Sequence, residues 1–290
     1  MAERQVVFYE CQDFPEMPGF DALAAVTGIN QLEDDEWRIP DGDSHIAVLV
    51  DRPGSAREPI QLQLLRIRPD APFRLTARRE LTPIQVAENE SITEFTWVMI
   101  WPDRYMAAIS SRDAPGHKKL GTYFLSTSGQ ATQIVNLFRP DLPQRLRAIR
   151  ANGLRKAQLK IQTSFLQQRL IDENRTGFGQ LLRAGRESEA ATIGIELSVG
   201  KRGRDARLND EIGAGMSYLA DNVDLVESLH VKGRNEEGEI EEINLKQERI
   251  KAPIEIAYGT SNDDVYREIK RARREVEQEI GGLDRAARGN

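Results

Sequence analysis

Residues 93–111, TEFTWVMIWPDRYMAAISS, form the densest apolar and aromatic stretch of the chain, and they constrain the fold more than any other segment. Two runs rich in Trp, Val, Ile, Tyr and Met flank Pro102-Asp103. That pair suits the central positions of a tight turn, so the stretch reads as a β-hairpin. Side chains alternate across a strand, which puts Phe95, Trp97, Met99 and Trp101 on one side. Aromatics at that density are far more often buried than displayed, so this side is expected to face a core and not to stack on bases.

The segments before the hairpin supply its neighbours. Arg4 to Glu10 reads as an opening strand, and Asp21 caps a short helix that Gly28 is expected to stop. His45 to Val50 and Ile60 to Ile67 are strands, the second half-buried by its partial alternation, with Arg52-Pro53-Gly54 as turn chemistry between them. Connections this short exclude helical crossovers, so the sheet should be mainly antiparallel. After Gly116 the spacing turns helical, with Leu120, Phe124, Ile134, Val135 and Phe138 as anchors.

The second half opens with KAQLKIQ at 156–162, whose alternation suits a strand with one cationic face. A glycine-interrupted helix is expected over Phe165 to Leu182, a strand over Thr192 to Val199, and a helix capped by Asp205. Val223 to Val231 and Glu239 to Leu245 read as a hairpin around Asn235 to Gly238, its acidic run Glu236 to Glu242 being solvated. A last helix begins near Ser261 and presents Val265, Ile269, Ala272, Val276 and Ile280 on one face. The fold class predicted is α+β: a mainly antiparallel N-terminal sheet with covering helices over 1–152, then a second α+β part over 153–290 ending in a long helix. The boundary is placed around Asn152-Gly153.

At 290 residues with 39% hydrophobic content, the chain can bury a sizeable core. No apolar run approaches the roughly 20 residues that span a bilayer, so direct membrane insertion is not expected, and a cytoplasmic location is. The single cysteine, Cys11, suits a reducing compartment, and the three histidines lack metal-binding spacing. No metal site, cofactor or catalytic set is expected. Asp113 and His117, with Ser110 or Ser111 nearby, could pair as acid and base, yet no nucleophile elbow accompanies them.

The net charge of −6 conceals a segregation. From Arg145 to Arg207, 14 Lys and Arg stand against 6 Asp and Glu, a balance of +8, whereas Leu208 to Arg249 has 4 against 11, a balance of −7. An acidic protein can therefore carry one basic face. The sharpest local signal is GKRGRDAR at 200–207, between a strand and a helix. Glycines admit a phosphate to the backbone there, and Lys201, Arg202, Arg204 and Arg207 lie beside a helix N-terminus that favours anions. A second basic group contains Arg145, Arg147, Arg150, Arg155, Lys156 and Lys160. If the two groups share a face, several phosphates can be neutralised together. Lys270, Arg271, Arg273 and Arg274 form a third cluster, assigned to structure through Arg271–Glu275 and Arg273–Glu277 pairs on the helix.

The order of elements, with the hairpin FTWVMIWPDRYMAAIS, then KAQLKIQ and TIGIELSVGKRGR, resembles the RexA-like DNA-binding proteins of phage exclusion. More loosely it is similar to the DNA-binding KwaB subunit of the Kiwa defence system. The resemblance covers most of the chain and lies in layout. It implies a homodimeric cytoplasmic protein that binds DNA with little sequence preference and senses phage infection, often reporting to a membrane effector encoded by a neighbouring gene. The basic strand exit at Lys201, Arg202, Arg204 and Arg207 is the feature that matches best, and Arg150, Arg155, Lys156 and Lys160 of the second basic group are expected, on their charge and spacing, to contact nucleic acid with it. The competing readings are a protein-interaction module built on the last helix and the acidic hairpin, and a nuclease or hydrolase using Asp113 and His117.

Overall fold

The computed structural model describes residues 2–14, 17–33, 36–68, 73–75, 81–83, 93–110, 114–162, 180, 183–185, 187–188, 192–199, 207–208, 226–257, 259–278 and 280–281. In chain order the elements are β1 (Ala2–Asp13), α1 (Ala22–Ile29), β2 (Arg38–Asp41), β3 (Ser44–Arg52), β4 (Ile60–Ile67), β5 (Phe73–Leu75), β6 (Leu81–Pro83), β7 (Thr93–Ile100) and β8 (Tyr105–Ser110). They continue with α2 (Lys118–Ser128), β9 (Thr132–Asn136), α3 (Leu142–Gly153), β10 (Leu154–Gln162), β11 (Thr192–Ser198), β12 (Val226–Arg234) and β13 (Ile240–Asn244). Last come α4 (Leu245–Glu248), β14 (Lys251–Ile256) and α5 (Asn262–Glu275). The fold is α+β and its sheets are antiparallel.

The chain forms two compact units, 1–136 with 251–278 and 137–250 with 279–290. They differ from the sequential halves 1–152 and 153–290 expected from the sequence. The reason is β14, which pairs antiparallel with β1 from Ala2↔Ile256 to Val7↔Lys251 and so draws the end of the chain into the first unit.

In the first unit an eight-stranded sheet runs β14-β1-β8-β7-β4-β3-β2, with β9 also pairing on β1. The β7–β8 hairpin forms as its sequence demands. Arg104 N–H donates to Trp101 C=O at 3.0 Å, Trp101 N–H donates to Tyr105 C=O at 2.8 Å, and Arg104 takes a left-handed φ of 67°. That is a tight turn followed by one left-handed residue, a common three-residue hairpin closure. Arg104 is fixed there by its C=O, which accepts from Cys11 N–H at 2.9 Å, and by its guanidinium on Asp13 at 2.8 Å.

One sheet face packs Tyr9, Cys11, Val48, Leu62, Val98, Ile100 and Met106 against Val26 and Ile29 of α1 and Leu120, Tyr123 and Phe124 of α2. Asp21 caps α1 by accepting from Leu23 N–H and Ala24 N–H. Gly28 does not stop this helix: it lies inside it, where a Cβ would come 2.9 Å from Ser128 Cβ, so its role is the close approach of α1 and α2. Ile134 and Val135 are strand residues of β9 and not helical anchors. The opposite face carries α5, capped by Ser261, whose Val265, Tyr266, Ile269 and Ala272 are buried. Trp97 lies on this face as expected and donates from Nε1 to Asn262 Oδ1 at 3.0 Å. Because both faces are covered, β4 is buried from Ile60 to Leu64 and not half-exposed as its alternation suggested; Gln61 and Gln63 are 3% and 6% exposed.

In the second unit the sheet order is β11-β10-β12-β13. Its inner face packs Ala157, Leu159, Ile161, Leu229, Val231 and Ile243 against Leu142, Leu146 and Ile149 of α3. The other face is polar. One covered and one solvated face is the ordinary state of a small antiparallel sheet.

Candidate nucleic-acid interface

The geometry of the polar face begins at the junction of α3 and β10. Pro143 opens α3 without loss of a needed N–H, and Gly153, at φ 125°, turns the chain into β10. Leu154 pairs with Gly233 but Lys156 pairs with Lys232, so Arg155 is one extra residue, a β-bulge. The bulge reverses the parity of the strand: Leu154 and Ala157 are both buried, and Lys156 is turned outwards. From there Lys156, Gln158 and Lys160 line the open face while Ala157, Leu159 and Ile161 line the core.

Register then places other strands' polar residues beside them. Gln158 faces His230 and Lys160 faces Ser228 on β12, with Lys232 and Arg234 continuing the same parity. On the outer strands, β11 contributes Glu196 and Ser198, and β13 contributes Ile240, Glu242 and Asn244. No Phe, Tyr or Trp side chain lies on this face among the described residues. Among the described residues Lys156, Lys160, Lys232 and Arg234 are its cations, with His230 beside them.

Two carboxylates sit among them. Glu196 Oε1 is 3.4 Å from Lys156 Nζ. Glu242 reaches two partners, accepting from Lys232 Nζ at 3.1 Å and lying 2.5 Å from His230 Nε2. Lys232 first, and His230 second, hold the Glu242 carboxyl below the usual range, so it is ionised at neutral pH. The acidic run is therefore more than a solvated loop: Glu242 belongs to the face and Glu241 to the opposite side, where it accepts from Arg145 Nε at 2.7 Å.

Arg145 is withdrawn from the open face. Besides Glu241 it donates to both oxygens of Glu248, at 2.8 and 3.2 Å, and Glu248 is only 8% exposed. Glu248 and then Glu241 push this guanidinium further above its already high range. Arg150 belongs to the last turn of α3, in the helix layer and not on the open face. Arg155 occupies the bulge, its C=O accepting from Val199 N–H at 3.0 Å. Arg207 is exposed beside the α3–β10 junction, where Leu208 N–H donates to Leu154 C=O at 2.7 Å. Lys201, Arg202 and Arg204 lie outside the described residues, as do the helix expected over Phe165 to Leu182 apart from residue 180 and the helix expected after Asp205 apart from Arg207 and Leu208, which are not helical.

Parts of the other candidates have structural partners. Arg271 pairs with Glu275 at 3.6 Å as expected, and with Glu268 at 2.7 Å. Arg273 does not reach Glu277; it pairs with Asp103 in the hairpin turn and lies 4.4 Å from the Trp101 ring centroid. The apolar stripe of α5 is buried on its own sheet and offers no docking face. His117 stacks on Tyr9 with ring centroids 4.2 Å apart, while Asp113 and Ser111 lie outside the described residues. Among the described residues, no group of three or more His, Cys, Asp and Glu could hold a metal, and no helix is long and apolar enough to cross a membrane.

Lys232, Arg234 and His230 were missed from sequence, though VESLHVKGR alternates His230, Lys232 and Arg234 at strand spacing. The acidity of the surrounding segment concealed them. No known family matches the chain, and no curated protein matches it.

Proposed function

We propose that this protein binds DNA with little sequence preference through the open face of its second sheet. The observation that carries this reading is the gathering of Lys156, Lys160, Lys232 and Arg234, from two adjacent central strands, on one solvated surface. Ammonium and guanidinium groups on a sheet neutralise phosphates, and the described residues of this face offer cations to a backbone without a Phe, Tyr or Trp platform for unpaired bases. Contacts to the backbone alone carry no sequence information, which suits non-specific binding to duplex. Arg207 and Arg155, near the start of β10, are further cations of the unit, and Lys201, Arg202 and Arg204, outside the described residues, enter the proposal from the sequence alone. The resemblance in layout to the phage-exclusion proteins supports the wider role: a cytoplasmic sensor or regulator of phage infection that works as a homodimer and reports to a membrane effector encoded by a neighbouring gene.

Duplex binding across a salt series tests the reading. Four phosphate contacts predict a log–log salt slope of about −3.6 and a loss of roughly 10²-fold in affinity between about 50 and 200 mM salt. Changing Lys156, Lys160, Lys232 and Arg234 together to Ala flattens that slope and weakens binding at low salt by more than about tenfold. No binding by the intact protein at low salt overturns the reading, and a variant that binds like the parent moves the site off this face.

A further inference from the structure

We propose that Lys156 and Lys232 form a phosphate seat whose resting charge is cancelled by Glu196 and Glu242, so that the two carboxylates compete with phosphate and set how strongly the face binds. This rests on reading the face as a nucleic-acid interface.

Lys156 and Lys232 are direct register partners on adjacent central strands. Like charges directly opposite one another are unfavourable in a sheet, and their Cβ atoms stand only about 5 Å apart. Two ammonium groups at that spacing fit the two non-bridging oxygens of one phosphodiester. Each lysine is met from the outer side by one carboxylate: Glu196 of β11 lies 3.4 Å from Lys156, and Glu242 of β13 lies 3.1 Å from Lys232. Glu242 faces Lys232 in register and Glu196, the partner of Gln158, reaches Lys156 diagonally, so the two bases stand at the centre with an acid on each outer strand. His230 shares Glu242 and keeps it seated beside Lys232.

The carboxylates can leave without disturbing the fold. Glu196 and Glu242 are 58% and 49% exposed at the side chain, and exposed ion pairs are weak. An isolated phosphate meets each glutamate on equal terms and gains little by displacing it. A polymer gains the release of counterions at every phosphate it places, and so displaces both. The glutamates thus give the face a preference for a polyanion over single phosphates, such as free nucleotides.

The test uses the full chain with Glu196→Gln, Glu242→Gln and the double variant, and Glu237→Gln at the exposed hairpin tip as a control that matches the charge change of each single variant. Unchanged melting curves establish that each is folded. The double variant is expected to bind duplex DNA about tenfold more tightly, with a salt slope steeper by about one to two, and to bind inorganic tripolyphosphate that the parent does not. Glu237→Gln should stay within about twofold of the parent. If the parent binds duplex and the double variant binds no tighter than Glu237→Gln, the competition is overturned. If the parent fails to bind duplex while the double variant takes up tripolyphosphate, the seat stands and the DNA reading falls. A double variant that binds neither ligand removes the seat.

Discussion

Gly233 is decided by what packs over it. A Cβ there would lie 2.5 Å from Ile149 Cγ2, 2.8 Å from the Gly153 carbonyl oxygen and 3.3 Å from Leu154 Cα. Two of those neighbours are backbone, so the added methyl must push α3 away from β12. Gly233→Ala is therefore expected to destabilise the protein by about 1–3 kcal/mol, read as a lower midpoint in urea denaturation. The effect is steric, because the φ of Gly233 is not among the left-handed ones. The bulge at Arg155 is a second residue-scale device, and it was not legible. Simple alternation puts Leu154 and Lys156 on the same side of β10, whereas the extra residue separates them and turns Leu154 into the core. Lys160, beyond the bulge, keeps the parity that the sequence implied.

Among the elements, α5 shows how a helix is fastened to a sheet by more than its apolar stripe. Tyr266 O–H donates to Asp51 Oδ2 at 2.6 Å and approaches the Leu62 carbonyl oxygen at 2.9 Å, and Gln63 Nε2 donates to the same Asp51 carboxylate at 3.0 Å. Burial, reinforced by Asp51, keeps this phenol protonated far above its ordinary range, so the hydroxyl remains a donor well into alkaline conditions. Tyr266→Phe keeps the ring and strands the acceptors, and is expected to cost about 1–3 kcal/mol in chemical denaturation. A loss below about 0.3 kcal/mol would show that water replaces the hydroxyl. The helix and its start near Ser261 were legible, as were the β7–β8 and β12–β13 hairpins, because their signals are local: a periodic stripe, and turn residues between alternating runs. β9 and β14 were not. TQIVN and KAPIEI are short, one beside a helix and one containing Pro253, and each becomes a strand through pairing with β1. The same limit governed the candidate interface. Lys156 and Lys160 were found by alternation within one strand, but Lys232 and Arg234 join them only through register between β10 and β12.

For the molecule as a whole, the first unit's interior is tight enough to be probed chemically. Cys11 is fully buried, and desolvation pushes its thiol up to about 12. The sign follows: the raised pKa favours the folded state below the ordinary thiol value and that contribution is lost as pH rises through about 12. At pH near 8 the native thiol is both protonated and inaccessible, so a disulfide reagent should label it only at the rate at which the unit opens, and stoichiometrically in denaturant. Rapid labelling of the native protein would contradict this placement of Cys11.

The pairing of β1 with β14 also has a history in time. The strand that lies beside Ala2 to Val7 is residues 251–256, and the helix that covers the second face of the sheet follows it. A ribosome delivers the first 136 residues of this unit long before the last 28, and at typical elongation rates the interval is on the order of ten seconds. Throughout it, the nascent sheet holds an unpaired edge and an uncovered apolar face towards water. The hazard of aggregation for this chain is therefore concentrated in its synthesis, and it closes only when the last strand and helix arrive.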